Sequence, residues 1–354
     1  MPTLLIYGAN GYSGEMIARE AKKRGLRPVL AARNAAAVQS LAAELKFQQR
    51  AFDLADQQSI DLSDIDVVLN CAGPFSKTAA PMIAACIKAG VHYLDITGEI
   101  PVFAHAHSQT EAAKAAGVAL CPGVGFDVVP TDCLAALLKR ALPEATDLVL
   151  AFDGGGGISR GTAKTSVEGL KSGGMARIDG KMTPVPLAWQ VEQFEFAPGR
   201  VRSAMTIPWG DVYTAFVSTG IPNIKVFMAL PEAAIASARR LRWLAPILGL
   251  APIQSLLKWR INQREPGPNE QLRENTRSYV VGTASAANGD SVSGRVETAN
   301  GYSLTVDSAL TIAQFVLDGV GEACGYQTPS TLCGAELLGR LQATSVEIAG
   351  VVKA

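Results

Sequence analysis

Histidine is scarce in this chain, and neither sign of charge is in excess. The 354 residues include 3 histidines, and 32 Lys+Arg balance 32 Asp+Glu, so the formal net charge is zero. A zero balance argues against nucleic acid as a partner, because phosphate binding needs clustered positive charge. All three histidines, His92, His105 and His107, precede residue 108, which restricts chemistry that depends on imidazole.

Metal and disulfide patterns are also missing. None of the six cysteines forms a C-x-x-C pair, so neither a zinc knuckle nor a thioredoxin-type pair is indicated, and buried reduced thiols are expected. His105 and His107 cannot share one face of a helix, so we expect no metal site. The first residues have no basic region and run directly into a strand. They do not resemble a signal peptide, and a cytoplasmic protein is predicted.

The chain lacks the residues that two common classes of reductase need for catalysis. Acyl-phosphate and semialdehyde reductases pair a nucleophilic cysteine with a histidine, but no histidine follows His107. Short-chain dehydrogenases use Tyr-x-x-x-Lys, and none of the seven tyrosines has a lysine four residues later. A thiol mechanism and a short-chain dehydrogenase are therefore both disfavoured.

What the chain does contain is a long alternation of strand and helix patterns. Short apolar runs such as LLIY and DVVLN alternate with helical spacing over the first 130 residues, which indicates βαβ units around a parallel sheet. Length favours two domains. We predict an α/β fold: a Rossmann-type doubly wound parallel sheet in residues 1–130, followed by an α+β substrate or dimerisation domain with a mixed or antiparallel sheet in residues 131–354.

The second domain is predicted because the sequence pattern changes after about residue 130. Apolar runs near residues 148–152, 201–207, 212–218, 225–230 and 277–284 are typical of strands, and Asn288-Gly289 suits a tight hairpin turn. Residues 304–317 show helical spacing, and a terminal helix over residues 332–341 is expected, which can pack back on the first domain.

The sharpest motif is a glycine-rich loop between the first strand and the first helix. Its spacing is G-x-x-G-x-x-G, in which the glycines permit a tight turn, close approach of a pyrophosphate and close helix–strand packing. The predicted cofactor contacts in this loop are Gly8, Ala9, Asn10, Gly11, Tyr12, Ser13 and Gly14.

The end of the second strand selects the nucleotide. An NAD site usually places Asp or Glu there, but this chain has Ala32, Arg33 and Asn34, with Arg33 nineteen residues past Gly14. An arginine can pair with a 2′-phosphate, so NADP(H) is predicted. Asp53, at the end of the third strand, is expected near the adenine.

Two later turns follow strands of the same predicted sheet. Ligands bind at strand carboxyl ends in such sheets, so the turn after the fourth strand is expected to border the nicotinamide. Its predicted contacts are Cys71, Ala72, Gly73, Pro74 and Phe75. The turn PGVGFD after the sixth strand is expected to face the substrate through Gly125, Phe126 and Asp127.

These motifs together resemble the saccharopine dehydrogenase-like oxidoreductases, including their trans-acting enoyl reductase branch. The resemblance rests on GANGYSG, NCAGPF, ACIKAGVHYLDITGE and PGVGFDVVPTD, and it is dense over the first 132 residues. It implies an NADP-binding Rossmann domain, a second domain that aids dimerisation, and hydride transfer to a C=N or C=C bond. The arginines with which the saccharopine enzymes bind amino-acid carboxylates are not identified in this sequence, which favours an apolar substrate.

Hydride delivery leaves negative charge that needs a proton donor. The candidate donors lie at strand ends near the expected nicotinamide, and they are Lys77, Tyr93, Asp95, Glu99 and Asp127. Each also has a structural interpretation. Lys77 can be a solvated residue at a helix start, Tyr93 a core residue, Asp95 and Glu99 turn caps, and Asp127 a helix cap. Tyr93 and Asp127 rank first because both lie within the family-like motifs, with Lys77 as a further candidate.

An uncharged stretch from Trp243 to Leu257 lies between Arg239, Arg240 and Arg242 on one side and Lys258 and Arg260 on the other. Its 15 residues are too few to span a bilayer. Peripheral membrane contact and a buried or dimer-forming helical hairpin both remain open. The leading hypothesis is an NADPH-dependent reductase acting on a small or lipid-like substrate, in a homodimer. The alternative is a non-catalytic NADP(H)-binding sensor or scaffold, including one that associates with a membrane surface.

Overall fold

A computed structural model describes residues 3–157, 159–169, 173–241, 250–263 and 265–354. The chain divides into two compact units. The first contains Met1–Val129 and Tyr302–Gly334, and the second contains Pro130–Gly301 and Ala335–Ala354. The sequence-based division at residue 130 lies where the chain leaves the first unit, but the chain returns to that unit for Tyr302–Gly334, a segment that the sequence analysis assigned to the second domain.

The strands, numbered in chain order, are β1 (Leu4–Tyr7), β2 (Val29–Ala32), β3 (Gln49–Ala51), β4 (Val67–Asn70), β5 (His92–Asp95), β6 (Ala119–Cys121), β7 (Ala145–Asp153), β8 (Gly174–Ile178), β9 (Lys181–Val185), β10 (Val191–Ala197), β11 (Arg200–Thr206), β12 (Asn223–Ala229), β13 (Arg277–Ala286), β14 (Ser291–Ala299), β15 (Gly325–Tyr326) and β16 (Ser345–Ile348).

The helices of the described residues are α1 (Tyr12–Lys23), α2 (Ala35–Leu45), α3 (Phe75–Ala89), α4 (Ile100–Ser108), α5 (Thr110–Ala115), α6 (Val129–Ala141), α7 (Arg160–Gly169), α8 (Asp211–Thr219), α9 (Glu232–Leu241), α10 (Ala251–Asn262), α11 (Glu270–Asn275), α12 (Gly301–Asp318) and α13 (Pro329–Cys333). A 3₁₀ helix covers Ala335–Arg340.

The first unit contains a parallel sheet of seven strands in the order β15-β6-β5-β4-β1-β2-β3. Every residue of β1, β2 and β4 is buried, as expected for parallel strands that are covered on both faces. All carboxyl ends of these strands lie at one edge of the sheet. This arrangement confirms the predicted Rossmann-type sheet, and it brings the turns after β1, β4, β5 and β6 to the same edge.

The second unit contains a mixed sheet of nine strands. Seven follow the order β10-β11-β12-β7-β13-β14-β16, and β8 pairs with both β12 and β9. Among the described residues of this sheet, β7 and β12 are the one pair that runs in parallel. Strand β13 has a glycine, Gly282, near its middle. A Cβ at this position would lie 2.9 Å from Leu138 Cδ1, so the leucine packs where a side chain would otherwise be. The second sheet confirms the predicted fold class.

One strand prediction was wrong. Residues 212–218 belong to helix α8, and the buried side chains of Val212, Ala215 and Thr219 recur at helical spacing. Gly220 ends this helix in a left-handed conformation. The β-branched and aromatic residues of this segment favoured a strand locally, but burial of one helical stripe decided the outcome. The hairpin at Asn288-Gly289 is confirmed, because β13 and β14 are antiparallel neighbours joined there.

The chain end also differs from prediction. In place of one helix over residues 332–341, the short helix α13 belongs to the first unit, and the 3₁₀ helix Ala335–Arg340 belongs to the second. Gly334 separates them. No helix among the described residues has the length and apolar character that a membrane crossing requires. Of the uncharged stretch from Trp243 to Leu257, residues 243–249 lie outside the described residues, and the remainder leads into α10.

Candidate functional site

The glycine loop forms a turn whose shape depends on missing side chains. Gly8 has φ +79, and a Cβ on it would lie 2.8 Å from the backbone nitrogen of Ala72. The Gly8 carbonyl oxygen accepts the Gly11 N–H at 2.9 Å. A Cβ on Gly14 would collide with that same oxygen and lie 3.0 Å from Ala9 Cα. These contacts place β1, α1 and the turn after β4 closer together than any other residue type permits.

The same loop fits the diphosphate of a dinucleotide. A Cβ added at Gly11 would meet one atom within 4 Å among the described residues, the Gly8 oxygen at 3.2 Å, so Gly11 is less crowded than Gly8 or Gly14. No side chain of the described residues caps α1 at Gly11. The start of this helix therefore presents backbone N–H groups and the positive end of the helix dipole, which are the groups that bind phosphate.

Arg33 and Asp53 lie near the hydroxyl of Tyr7. That hydroxyl donates to the Phe52 carbonyl at 3.2 Å, and the two rings stack with centroids 5.0 Å apart. Burial raises the pKa of Tyr7, the negative charge of Asp53 raises it further, and the positive charge of Arg33 lowers it. The structure thus brings both predicted contacts to one corner. Asn34 caps helix α2, because its Oδ1 accepts the Ala37 N–H at 3.1 Å.

The turn after β4 contains the contacts predicted to border the nicotinamide. Asn70, fully buried at the end of β4, accepts the Ala72 N–H at 3.0 Å and thereby shapes this turn. Gly73 and Pro74 are joined by a cis peptide bond, and Phe75 begins α3. Burial, and to a smaller extent the negative charge of Asp95, raises the pKa of the Cys71 thiol. Cys71 is therefore protonated at neutral pH, in agreement with the exclusion of thiol chemistry.

A buried network of three side chains connects this turn to the turn after β6. Asn70 Nδ2 donates to the Tyr93 hydroxyl at 3.3 Å, and that hydroxyl donates to Asp95 Oδ2 at 2.7 Å. Asp95 Oδ1 accepts the N–H groups of Thr97 at 3.0 Å and Gly123 at 2.9 Å. The network Asn70–Tyr93–Asp95 therefore fixes the two turns at the ligand-binding edge relative to each other.

Burial governs protonation within this network. Tyr93 is 0% exposed, and burial, followed by the charge of Asp95, raises its pKa well above 10. Burial also raises the pKa of Asp95 to about 6, against the opposing effect of its hydrogen bonds to Thr97, Tyr93 and Gly123. Tyr93 is therefore neutral and donates its single proton to Asp95. Its hydroxyl is engaged inside the unit.

Glu99 holds the start of α3. Its two carboxylate oxygens accept the N–H groups of Phe75 at 3.0 Å and Ser76 at 2.8 Å. A carboxylate at a helix N-terminus satisfies donors that the helix cannot. Lys77 lies in the first turn of the same helix and is exposed. Glu99 therefore positions the nicotinamide-side turn, and Lys77 lies outside the buried network.

Asp127 differs from its neighbours in that its carboxyl is half-buried beside the turn after β5. A Cβ on Gly98 would lie 2.9 Å from Asp127 Oδ2, so this contact requires glycine. Burial alone raises the pKa of Asp127 to about 7. About half of the Asp127 carboxyl groups are thus protonated at neutral pH, at the edge where a ligand binds. A carboxyl with this property can donate or accept a proton.

Helix α12 supports the turn that carries Asp127. The Phe126 N–H donates to Thr305 Oγ1 at 3.0 Å, and Ser308 Oγ donates to the Val124 carbonyl at 2.7 Å. A Cβ on Gly125 would lie 3.0 Å from Thr305 Cγ2. The backbone between Val124 and Phe126 is therefore fixed by a helix that begins almost two hundred residues later.

The same helix also contacts the glycine loop and α1. The rings of Tyr12 and Tyr302 meet edge to face at 5.2 Å, and Arg24 forms a 2.7 Å ion pair with Asp307. Sequence reasoning missed Asn70 as a network member and missed Tyr302, Thr305, Asp307 and Ser308 altogether. The repeated polar residues of SLTVDS on an otherwise apolar helix were the available signal.

Among the described residues, no group of three or more histidine, cysteine or acidic side chains is arranged to hold a metal ion.

Comparisons with known proteins match this geometry. Residues 4–121 match the family model of the saccharopine dehydrogenase NADP binding domain. The match confirms the family resemblance and identifies the first sheet as an NADP(H)-binding domain. The structure also resembles apo saccharopine dehydrogenase (L-Glu forming) from Saccharomyces cerevisiae over 99% of this chain and 100% of that chain, with a TM-score of 0.64 and 13% identity. That likeness shows the shared fold.

Two curated relatives are similar in sequence. The trans-acting enoyl reductase of Mycobacterium tuberculosis is 29% identical over 191 residues, which are 48% of this chain and 44% of that protein. The human saccharopine dehydrogenase-like oxidoreductase is 30% identical over 152 residues, 36% of this chain and 35% of that protein. The matches thus span less than half the length of each of these relatives.

Proposed function

We propose that this chain is an NADP(H)-dependent oxidoreductase of the saccharopine dehydrogenase-like type, which transfers a hydride directly to a C=C or C=N bond of a small or lipid-like substrate. The observation that carries the proposal is the Asp127 carboxyl. It lies at the ligand-binding edge of an NADP-binding sheet, and its pKa is raised to about 7 by burial. The names of the two curated relatives support a reductase or oxidoreductase.

Cofactor binding is assigned to the backbone of the glycine loop and to Arg33. The bare backbone at Gly11 and the start of α1, which has no side-chain cap, receive the diphosphate. Arg33 pairs with the 2′-phosphate. The turn from Cys71 to Phe75, shaped by Asn70 and Glu99, borders the nicotinamide. NADPH, when bound there, supplies the hydride.

The chain itself must supply the proton. Hydride addition to one atom of a C=C or C=N bond leaves an electron pair on the other atom or on a conjugated oxygen, and that pair needs a proton. Protonated Asp127 donates it and becomes a carboxylate, which a solvent proton restores. Tyr93 acts as a positioning residue through Asp95, since its own hydroxyl is buried and engaged.

Direct hydride transfer is tested by NADPH oxidation with a panel of enoyl and imine substrates. We expect turnover on at least one, with retention of the deuterium from NADPD in the product. Asp127→Asn is expected to lower kcat by about 10²- to 10⁴-fold and to leave the NADPH dissociation constant unchanged. In the wild type, kcat for reduction should fall as pH rises through about 7, as Asp127 loses its proton.

Several outcomes would contradict the proposal. Tight NADPH binding without turnover on any substrate would favour the non-catalytic sensor or scaffold. Full activity of Asp127→Asn would remove Asp127 as the proton donor while leaving the reductase in place. The homodimer and the cytoplasmic location remain proposals, and light scattering of the purified chain and fractionation of its cells measure them.

A further inference from the structure

Helix α10 is fixed to the second unit along one side. Gln254 Nε2 donates to the Val167 carbonyl of α7 at 2.9 Å, and Ile261 is only 6% exposed. Ile253 and Leu257 are half-buried on that same helical stripe. Since one side of the helix is held in this way, its opposite side has a defined orientation.

The opposite side exposes large apolar groups. Leu256 is 51% exposed and Trp259 is 58% exposed, three residues apart and so on one face, and Leu250 at the helix start is 54% exposed. Trp259 is the only aromatic residue among the large hydrophobic side chains that are exposed in the described part of the chain. We call Leu256, Trp259 and the adjacent exposed Arg260 the α10 outward face, with exposed Leu250 just before the helix.

The stretch of sequence that contains this face has charge of one sign. Between Glu232 and Glu265 the sequence has no acidic residue, and it has six basic ones, Arg239, Arg240, Arg242, Lys258, Arg260 and Arg264. The whole chain, by contrast, has a formal net charge of zero. Arg239, Arg240 and Arg260 are exposed. Exposed Arg260 beside exposed Leu256 and Trp259, in a segment whose charged residues are all basic, is complementary to a surface that is anionic outside and apolar beneath.

We propose that the α10 outward face binds the surface of an anionic phospholipid bilayer. Trp259 lies at the headgroup level, with Leu256 in the acyl boundary and Arg260 on lipid phosphate. A helix of 12 residues is about 18 Å long, shorter than a bilayer core of about 30 Å, so it lies in the plane of the surface. A second copy of this chain is a poorer occupant, since two-fold pairing of this face would place like charges against each other.

The experiment is co-sedimentation of the purified chain with vesicles of phosphatidylglycerol and phosphatidylcholine. We expect binding to mixed vesicles, little binding to pure phosphatidylcholine, and release at 0.5 M NaCl. The variant Leu256→Ser/Trp259→Ser should weaken binding at least tenfold. Leu272→Ser, which removes a leucine that is 41% exposed on α11, should bind like the wild type.

The charged part is tested separately. Arg260→Gln should weaken binding about fivefold, whereas Arg27→Gln, an exposed arginine of the first unit, should not. Unchanged NADPH affinity shows that each variant is folded. Equal pelleting with and without vesicles, or equal binding by wild type and Leu256→Ser/Trp259→Ser, would overturn the proposal. So would sedimentation velocity that shows a dimer lost only in Leu256→Ser/Trp259→Ser, since a second copy would then occupy the face.

Discussion

The two halves of the ligand-binding edge are built by opposite means. The glycine loop after β1 is shaped by absent side chains, since any Cβ at Gly8 or Gly14 would meet backbone. The turns after β4, β5 and β6 are shaped by side chains that are present, buried and hydrogen-bonded, with Asn70, Tyr93 and Asp95 at their centre. The first half presents bare backbone to the expected phosphate, and the second half fixes the turn that carries the Asp127 carboxyl.

The glycine loop is thus shaped by steric contacts, and the other turns are shaped by buried hydrogen bonds. A steric turn fails when atoms are added, and its failure is local. A buried polar network fails when atoms are removed, because each lost hydrogen bond leaves a partner unsatisfied in a place without water. The following predictions test whether the two halves behave in these two ways.

The largest effect is expected from adding one methyl group to the glycine loop. Gly14→Ala places a Cβ against the Gly8 carbonyl oxygen and Ala9 Cα, and we expect a loss of about 3 kcal/mol in unfolding free energy, measured by urea denaturation. Gly11→Ala is the matched control, because its Cβ would make one tight contact, 3.2 Å from the Gly8 oxygen, which is milder than the collision at Gly14. It should lose much less stability than Gly14→Ala and should lose NADPH affinity. Equal stability of the two variants would contradict the steric account.

Removal of Arg33 should have the next largest effect. Arg33→Ala is expected to weaken NADPH binding by about 10- to 100-fold, the value of a charge-assisted hydrogen-bonded pair of about 1.5–3 kcal/mol. NADH binding should be unchanged, since NADH has no 2′-phosphate. Fluorescence titration with both nucleotides measures the difference. If both affinities stay at wild-type values, the 2′-phosphate is bound elsewhere.

The polar half is tested by removing single hydroxyl groups. Tyr93→Phe breaks hydrogen bonds at 2.7 and 3.3 Å inside the core, and about 1–2 kcal/mol of stability should be lost. Tyr7→Phe removes one bond of 3.2 Å next to the glycine loop and should cost less. Thermal unfolding compares the two. A merely structural Tyr93 would leave the pH profile of kcat unmoved, whereas a positioning residue for the Asp127 turn would shift it.

The smallest effect concerns Asp127 and pH. Its folded pKa of about 7 lies above the ordinary value of 3.8, so its stabilising contribution is present below pH 4 and is lost as pH rises through 7. Asp127→Asn should therefore gain thermal stability relative to the wild type between pH 4 and pH 7, by about 1 kcal/mol after allowance for solvent. Differential scanning fluorimetry from pH 4 to pH 8 measures it. A difference that does not vary with pH would mean that Asp127 is solvated.

The steric half could be predicted from sequence, and the polar half could not. The spacing of Gly8, Gly11 and Gly14 alone predicted a tight turn after a strand, and the structure has that turn. The pairing of Arg33 with a 2′-phosphate, inferred because the second strand ends without a carboxylate, stays a prediction. Tyr93 and Asp127 were both candidates, but only packing shows that Tyr93 is engaged with Asp95 while Asp127 is held at a raised pKa. Burial is a property of the fold, and no local pattern encodes it.

Long-range contacts account for the other differences. Thr305 and Ser308 lie in the part of the sequence that was assigned to the second domain, and nothing near them in sequence indicates the turn after β6. Residues 212–218 were predicted as a strand because local β propensity was read without knowing which stripe is buried. The uncharged stretch was recognised from composition, but the direction in which Trp259 points required the structure.

The return of the chain to the first unit has a consequence for synthesis. Strand β15 and all of helix α12 except its first residue lie within Tyr302–Gly334, after the whole of Pro130–Gly301. A ribosome therefore releases Pro130–Gly301, the larger part of the second unit, before it releases the helix that supports the Asp127 turn. The nucleotide-binding half begins first and is completed almost last, so that a nascent chain acquires its cofactor site only when translation is nearly finished.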